Sequence, residues 1–129
     1  MTLVVSNTSS LVTLTASKIF VGPVASITVA ANQIVHISSH TGIANNATAS
    51  QQIAYNMCSQ LGAGALTTIG GPDSYAFTPV GIGVYGSFAI SVDVRFATAG
   101  TYSVGACANN IGAGSIAGGN GSTSVILYP

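Results

Sequence analysis

The stretch Phe88-Ala89-Ile90-Ser91-Val92-Asp93-Val94-Arg95-Phe96 decides the fold. Large apolar residues take every second position, with small or charged residues between them, which is the period of a strand buried on one face. Burying Phe88, Ile90, Val92, Val94 and Phe96, at roughly 1.5–3 kcal/mol each, contributes on the order of 10 kcal/mol before conformational entropy is subtracted. Such a face requires a second layer against it.

Working outward, Ala97-Thr98-Ala99-Gly100 reads as a turn of small residues. Thr101 to Ala108 follows with Tyr102, Val104, Ala106 and Ala108 on one face, so the two runs predict an antiparallel hairpin. Asn109 to Gly121, rich in Gly, Ala and Asn, reads as a long flexible connection, and Thr123 to Tyr128 as a closing strand. Upstream, Leu11–Thr15, Ser26–Ala30 and Ile34–Ser38 are short runs rich in Val, Ile and Thr, separated by Gly22-Pro23 and Ala31-Asn32. Thr48 to Leu61 fits a strand better than a helix, although Ile53, Met57 and Leu61 recur at helical spacing. Gly70-Gly71-Pro72-Asp73 is a turn cluster, and Gly81, Gly83 and Gly86 bracket Tyr85 in a short strand. The expectation is an all-β antiparallel sandwich formed by a single domain over residues 1–129, as a jelly roll or an immunoglobulin-like fold.

Charge is almost absent. Lys18, Asp73, Asp93 and Arg95 are the whole charged set, and glutamate does not occur. With 48% apolar residues and a mean hydropathy of +0.61 the chain has enough apolar surface to fold. A net charge of zero gives little protection against self-association, so a homo-oligomer is expected. Two basic residues cannot neutralise a phosphate backbone, which excludes nucleic acid as a partner. Polar residues interrupt every apolar run, so no membrane span is expected, and no signal peptide is visible after Met1.

The C-terminal third, Phe88 to Tyr128, with Ala99-Gly100-Thr101-Tyr102 between its strands and a Gly-rich segment before the last one, resembles the end of tumour-necrosis-factor and C1q jelly rolls. Immunoglobulin-like domains share the Gly-x-Tyr turn, in which the tyrosine hydroxyl bonds back to the corner. The resemblance places the jelly roll first and implies a trimer. It also implies a sugar-binding lectin, since bacterial members of that fold of similar size bind sugars through arginines. Arg95 is the one arginine here, and no residue of those sites carries over. The implied setting is extracellular, cell-surface or virion-associated.

Asp93 and Arg95, at i and i+2 on the outer face of one strand, are close enough to pair with each other, and they are the leading candidates for a ligand or subunit contact. Tyr55 and Tyr75 offer sugar-stacking rings, Asn56 an amide, and Asp73 a carboxylate in a turn. His36 and His40 are four apart, a spacing that unites two metal ligands on a helix but not along a strand. With Asp73 they make a three-ligand set only where the fold brings that turn close; ordinary hydrogen-bonded histidines are the expectation, with no metal or other cofactor. Cys58 and Cys107 either form one disulfide or remain buried thiols. No Gly-x-Ser-x-Gly elbow is present and titrating groups are scarce, so the expectation is a binding protein without catalysis. Two roles remain: a carbohydrate-binding homotrimer, or a self-assembling capsid or appendage subunit.

Overall fold

The alternation that marks Phe88–Phe96 recurs along the chain, and in the long strands the apolar face turns inward. The computed structural model describes residues 1–7, 11–112 and 114–129. In chain order the strands are β1 (Thr2–Ser6), β2 (Val12–Thr13), β3 (Ile19–Phe20), β4 (Ala25–Val29), β5 (Gln33–Asn45), β6 (Gln52–Leu61), β7 (Leu66–Thr68), β8 (Ser74–Phe77), β9 (Val84–Phe96), β10 (Gly100–Asn110) and β11 (Ile116–Leu127). No helix occurs among the described residues. Every pairing is antiparallel.

The strands form two sheets packed as a sandwich. In the first, β1 and β2 lie beside β11, followed by β5 and then β9 at the edge. In the second, β3 and β4 lie beside β10, followed by β6, with β7 and β8 along its far side. From β4 to β6, and again from β8 to β11, each connection changes sheet, which is the winding of a jelly roll.

That winding corrects the expected hairpin. β9 pairs with β5 along its whole length, whereas β10 pairs with β6 and β4 in the other sheet. Residues 97–99 therefore form an arch across the core, which sets the apolar faces of β9 and β10 against one another in one cluster. The Tyr102 hydroxyl donates to the Thr98 carbonyl at 3.0 Å and fixes the corner, while the Phe96 and Tyr102 rings meet at 4.5 Å beneath it.

Three other readings change in extent. The supposed long connection shrinks to residues 111–115, since β10 runs to Asn110 and β11 begins at Ile116. Its glycines serve close packing: a Cβ on Gly118 would lie 2.5 Å from Val21. Tyr85 belongs to the start of the long β9, not to a separate strand, and the run Ile34–Ser38 extends into the long β5, which carries both His36 and His40. Of Thr48–Leu61, the part Gln52–Leu61 is strand β6, with Ile53 and Met57 fully buried.

The core has two apolar clusters. One gathers Val35, Ile37, Met57, Phe96, Val104 and Val125, and the other Val21, Ile43, Ile53, Ala108 and Ile116. Between them runs a buried band of hydroxyls from Ser39, Thr41 and Thr123. Thr41 donates to the Val21 carbonyl at 3.0 Å and Thr123 to the Pro23 carbonyl at 2.6 Å. With its proton spent, Thr123 accepts from Ser39 at 2.8 Å. These bonds hold the Val21–Pro23 segment, which links β3 to β4, against the first sheet. Gly22, at φ 87°, is required there, because a Cβ would fall 2.0 Å from the Thr41 hydroxyl. Cys58 on β6 and Cys107 on β10 are joined as a disulfide between neighbouring strands, with Cα atoms 5.7 Å apart.

Replacing Thr123 with Val keeps the shape but leaves the Pro23 carbonyl without its donor. The expected loss is about 1–3 kcal/mol, the cost of a buried unsatisfied group, read from urea unfolding. A loss below a few tenths of a kcal/mol would show that the band contributes little.

Candidate functional site

Residues that alternate outward from the first sheet form rows across its exposed face. Register places Ile34 opposite Arg95, and the Tyr128 amide donates to the Ile34 carbonyl at 3.2 Å, so Tyr128, Ile34 and Arg95 form one row. Its ends are two strand spacings apart, about 10 Å. The next row is Ile126, His36 and Asp93.

The first row opens into a cleft of about 280 Å3, closed at one end by the turn Ala30–Asn32 and lined also by Gln33 and Pro129. Asn32 adopts the left-handed conformation, φ 64°, which asparagine tolerates better than most residues. Its amide bonds the Phe96 carbonyl at 2.6 Å, and its own carbonyl accepts from Arg95 Nη1 at 2.9 Å. Gln33 is spent internally, donating to the Tyr128 carbonyl at 2.7 Å and accepting from the Ala30 amide at 2.9 Å. Arg95 also borders a second cleft, of about 320 Å3, between the two sheets beside Leu61, Val94 and Tyr102.

The expected Asp93–Arg95 pair does not form. Asp93 accepts instead from Nδ1 of His36, its cross-strand neighbour, at 2.8 Å. Directly opposed side chains on adjacent strands approach more closely than i and i+2 on one strand, so the imidazole outcompetes the guanidinium. His40 lies one four-residue step along β5 and contacts the Ser122 hydroxyl at 3.1 Å. Asp73 belongs to the other sheet, so the His36, His40 and Asp73 set is not brought together. Among the described residues, no group of three His, Cys, Asp or Glu side chains is placed to hold a metal ion.

The remaining candidates divide by strand parity. Tyr55 points inward and packs edge-on against Phe88 at 5.9 Å, so it is a contact between sheets. Asn56 points the other way and is fully buried. It sits where the ladder beside β6 lapses, between Thr68 of β7 and Ser74 of β8. Its Oδ1 accepts from the Met57 amide at 2.8 Å, and its Nδ2 donates to Gly71 O and to Asp73 Oδ1, both at 2.9 Å. Asp73 also takes an ion pair from Lys18, a partner invisible in the sequence because 55 residues separate them. Tyr75, on β8, is exposed. Asn56, Asp73 and Tyr75 therefore lie on the second sheet, away from Asp93 and Arg95, and the first two close a gap in a strand ladder. The sequence reading missed Asn32 and His36 as neighbours of the charged pair; the turn signal at Ala31-Asn32 marked one, and only register reveals the other.

No protein-family model and no curated protein matches the chain. Among solved structures, the chain is similar to the infectious bursal disease virus VP2 subviral particle, at 12% identity and a TM-score of 0.48, over 93% of this chain and 33% of that one. It is also similar to a family 35 carbohydrate binding module from Clostridium thermocellum, at 15% identity and a TM-score of 0.39, over 96% and 91% of the two chains. A third similarity is to an exo-beta-1,3-galactanase from Phanerochaete chrysosporium, at 15% identity and a TM-score of 0.29, over 96% and 27%. The chain spans about a third of the length of the viral chain.

Hydrogen bonding from Asn56, and then from Lys18, holds the Asp73 carboxyl below its ordinary value of 3.8. A carboxylate depressed in the folded state contributes stability above the unfolded value and loses it as pH falls through the folded one. The gap in melting temperature between the parent and Asp73→Asn is therefore constant above about pH 5 and closes below 3.8. Thermal melts from pH 7 to 2 test this, and a gap independent of pH contradicts it.

Proposed function

We propose that the chain is a non-catalytic binding module of the lectin kind, which holds a sugar in the cleft of Arg95 and Tyr128 and works as a homo-oligomer. The carrying observation is the row Tyr128, Ile34 and Arg95, which puts an aromatic ring and a guanidinium on one exposed face, with an apolar floor between them. Sugars present apolar C–H faces and hydroxyl edges together, and a ring with a fork of N–H donors answers both. A cleft of about 280 Å3 lies at the small end of ligand sites, which suits one sugar ring. The turn that carries Asn32 holds Arg95 in place before any ligand arrives, which lowers the ordering cost of binding.

The placement of the carboxylates supports the non-catalytic reading. Asp73, in the turn before β8 of the second sheet, and Asp93, on β9 of the first, are each engaged by another side chain and do not face a common substrate. A trimer is the form that the resemblance of Phe88 to Tyr128 to the tumour-necrosis-factor and C1q jelly rolls would imply, and an extracellular or surface setting goes with that reading.

The self-assembling reading, as a capsid or appendage subunit, is favoured by one observation. Between Tyr75 and Tyr85 the chain exposes Phe77, Val80 and Ile82, at 67%, 71% and 68% of their full surface, and no charge interrupts the segment. Exposed apolar residues so closely spaced mark interaction surfaces.

On a glycan array the protein retains a defined subset of sugars, and Tyr128→Ala loses at least ten-fold in affinity while its melting temperature stays near the parent's. A folded protein with no signal above background contradicts the lectin reading. In sedimentation, the lectin reading gives a discrete species whose size is independent of concentration. Growth into filaments or shells, abolished by Phe77→Ser with Ile82→Ser, establishes the assembly reading instead.

A further inference from the structure

The chain's two carboxylate side chains are both occupied. Asp73 holds Lys18 and Asn56, and Asp93 holds His36. Glutamate is absent, so among the described residues Arg95 is the Lys or Arg side chain with no carboxylate against it. Its one hydrogen bond to protein goes to a neutral acceptor, the Asn32 carbonyl. That contact positions the guanidinium and leaves most of its planar donor fork unspent. Its charge is presented to the cleft beside the turn Ala30–Asn32.

Ala30, Ala31 and Ile34 bring no charge to the cleft, and the Pro129 carboxylate, which also borders it, forms no ion pair with Arg95. The nearest side-chain carboxylate is Asp93, about 7 Å along the strand, and it turns to His36 across the sheet. Tyr128 closes the far side of the row with an aromatic face.

From this arrangement we propose that the ligand is an acidic sugar, a pyranose whose ring lies toward Tyr128 while its carboxylate is held by two parallel N–H bonds from Arg95. The proposal rests on the lectin reading and names its ligand class. Bidentate arginine–carboxylate pairing is charge-assisted and geometrically selective, so it discriminates against the neutral sugar of the same ring.

Titration by NMR or calorimetry with methyl glucuronide and methyl glucoside tests it. The acid binds at least ten-fold more tightly, its affinity falls as sodium chloride rises from about 50 to 500 mM, and the Arg95 side-chain resonances shift on binding. Arg95→Gln, which keeps a polar side chain at an exposed position, removes the preference for the acid but retains the fold by circular dichroism. Arg95→Lys restores part of the preference, because a point charge replaces the fork. Equal affinity for the two sugars overturns the acidic-ligand proposal and leaves the lectin reading standing. Failure of both sugars, together with every glycan on an array, overturns the lectin reading itself. An acid preference that survives Arg95→Gln places the site elsewhere and overturns the assignment to Arg95.

Discussion

The buried hydroxyl band of Ser39, Thr41 and Thr123 is the interaction on which the middle of the sandwich depends. The segment Val21–Pro23 passes between the ends of β3 and β4, bonded to β10 through the Val21 amide, and its Val21 and Pro23 carbonyls take their donors from side chains. Side chains from β5 and β11 supply those donors from the opposite sheet. A protein with more charge could have met the same need with ions, at a large desolvation cost. Here neutral hydroxyls do so, and Gly22 makes room for one of them.

The same economy shapes the second sheet and the surface. Asn56 closes the gap between β7 and β8 with a single amide, bonding a strand amide, a turn carbonyl and Asp73 at once. Lys18 completes that cluster from a distant part of the chain. Once both aspartates are engaged in this way, Arg95 is left facing a cleft. The functional proposal is thus a consequence of how the scarce charges are shared.

Much of the architecture was legible in side-chain alternation. Phe88–Phe96 reads as half-buried and is so, with its apolar residues inward and Asp93 and Arg95 outward. Alternation reports which face of a strand is buried, but carries nothing about which strand lies beside it. For that reason β9 and β10 read equally well as a hairpin or as an arch, and long-range pairing chose the arch. Composition misled at Asn109–Gly121, where glycine signals both loops and strands that must approach a neighbour closely. Tyr55 and Asn56 looked alike as binding residues because their inward and outward parity mattered only once β6 had partners on both sides.

What the sequence determined by itself was the layered β character, the poverty of charge and the outward placement of Asp93 and Arg95, because these are local or compositional properties. Only the tertiary structure decided that Asp93 pairs with His36, that Lys18 reaches Asp73, and that Tyr128 comes into line with Arg95. Each of those pairings joins residues separated by 33 or more positions. Their proximity is set by strand order and register, which arise from burying the faces of both sheets together and cannot be read from any one segment alone.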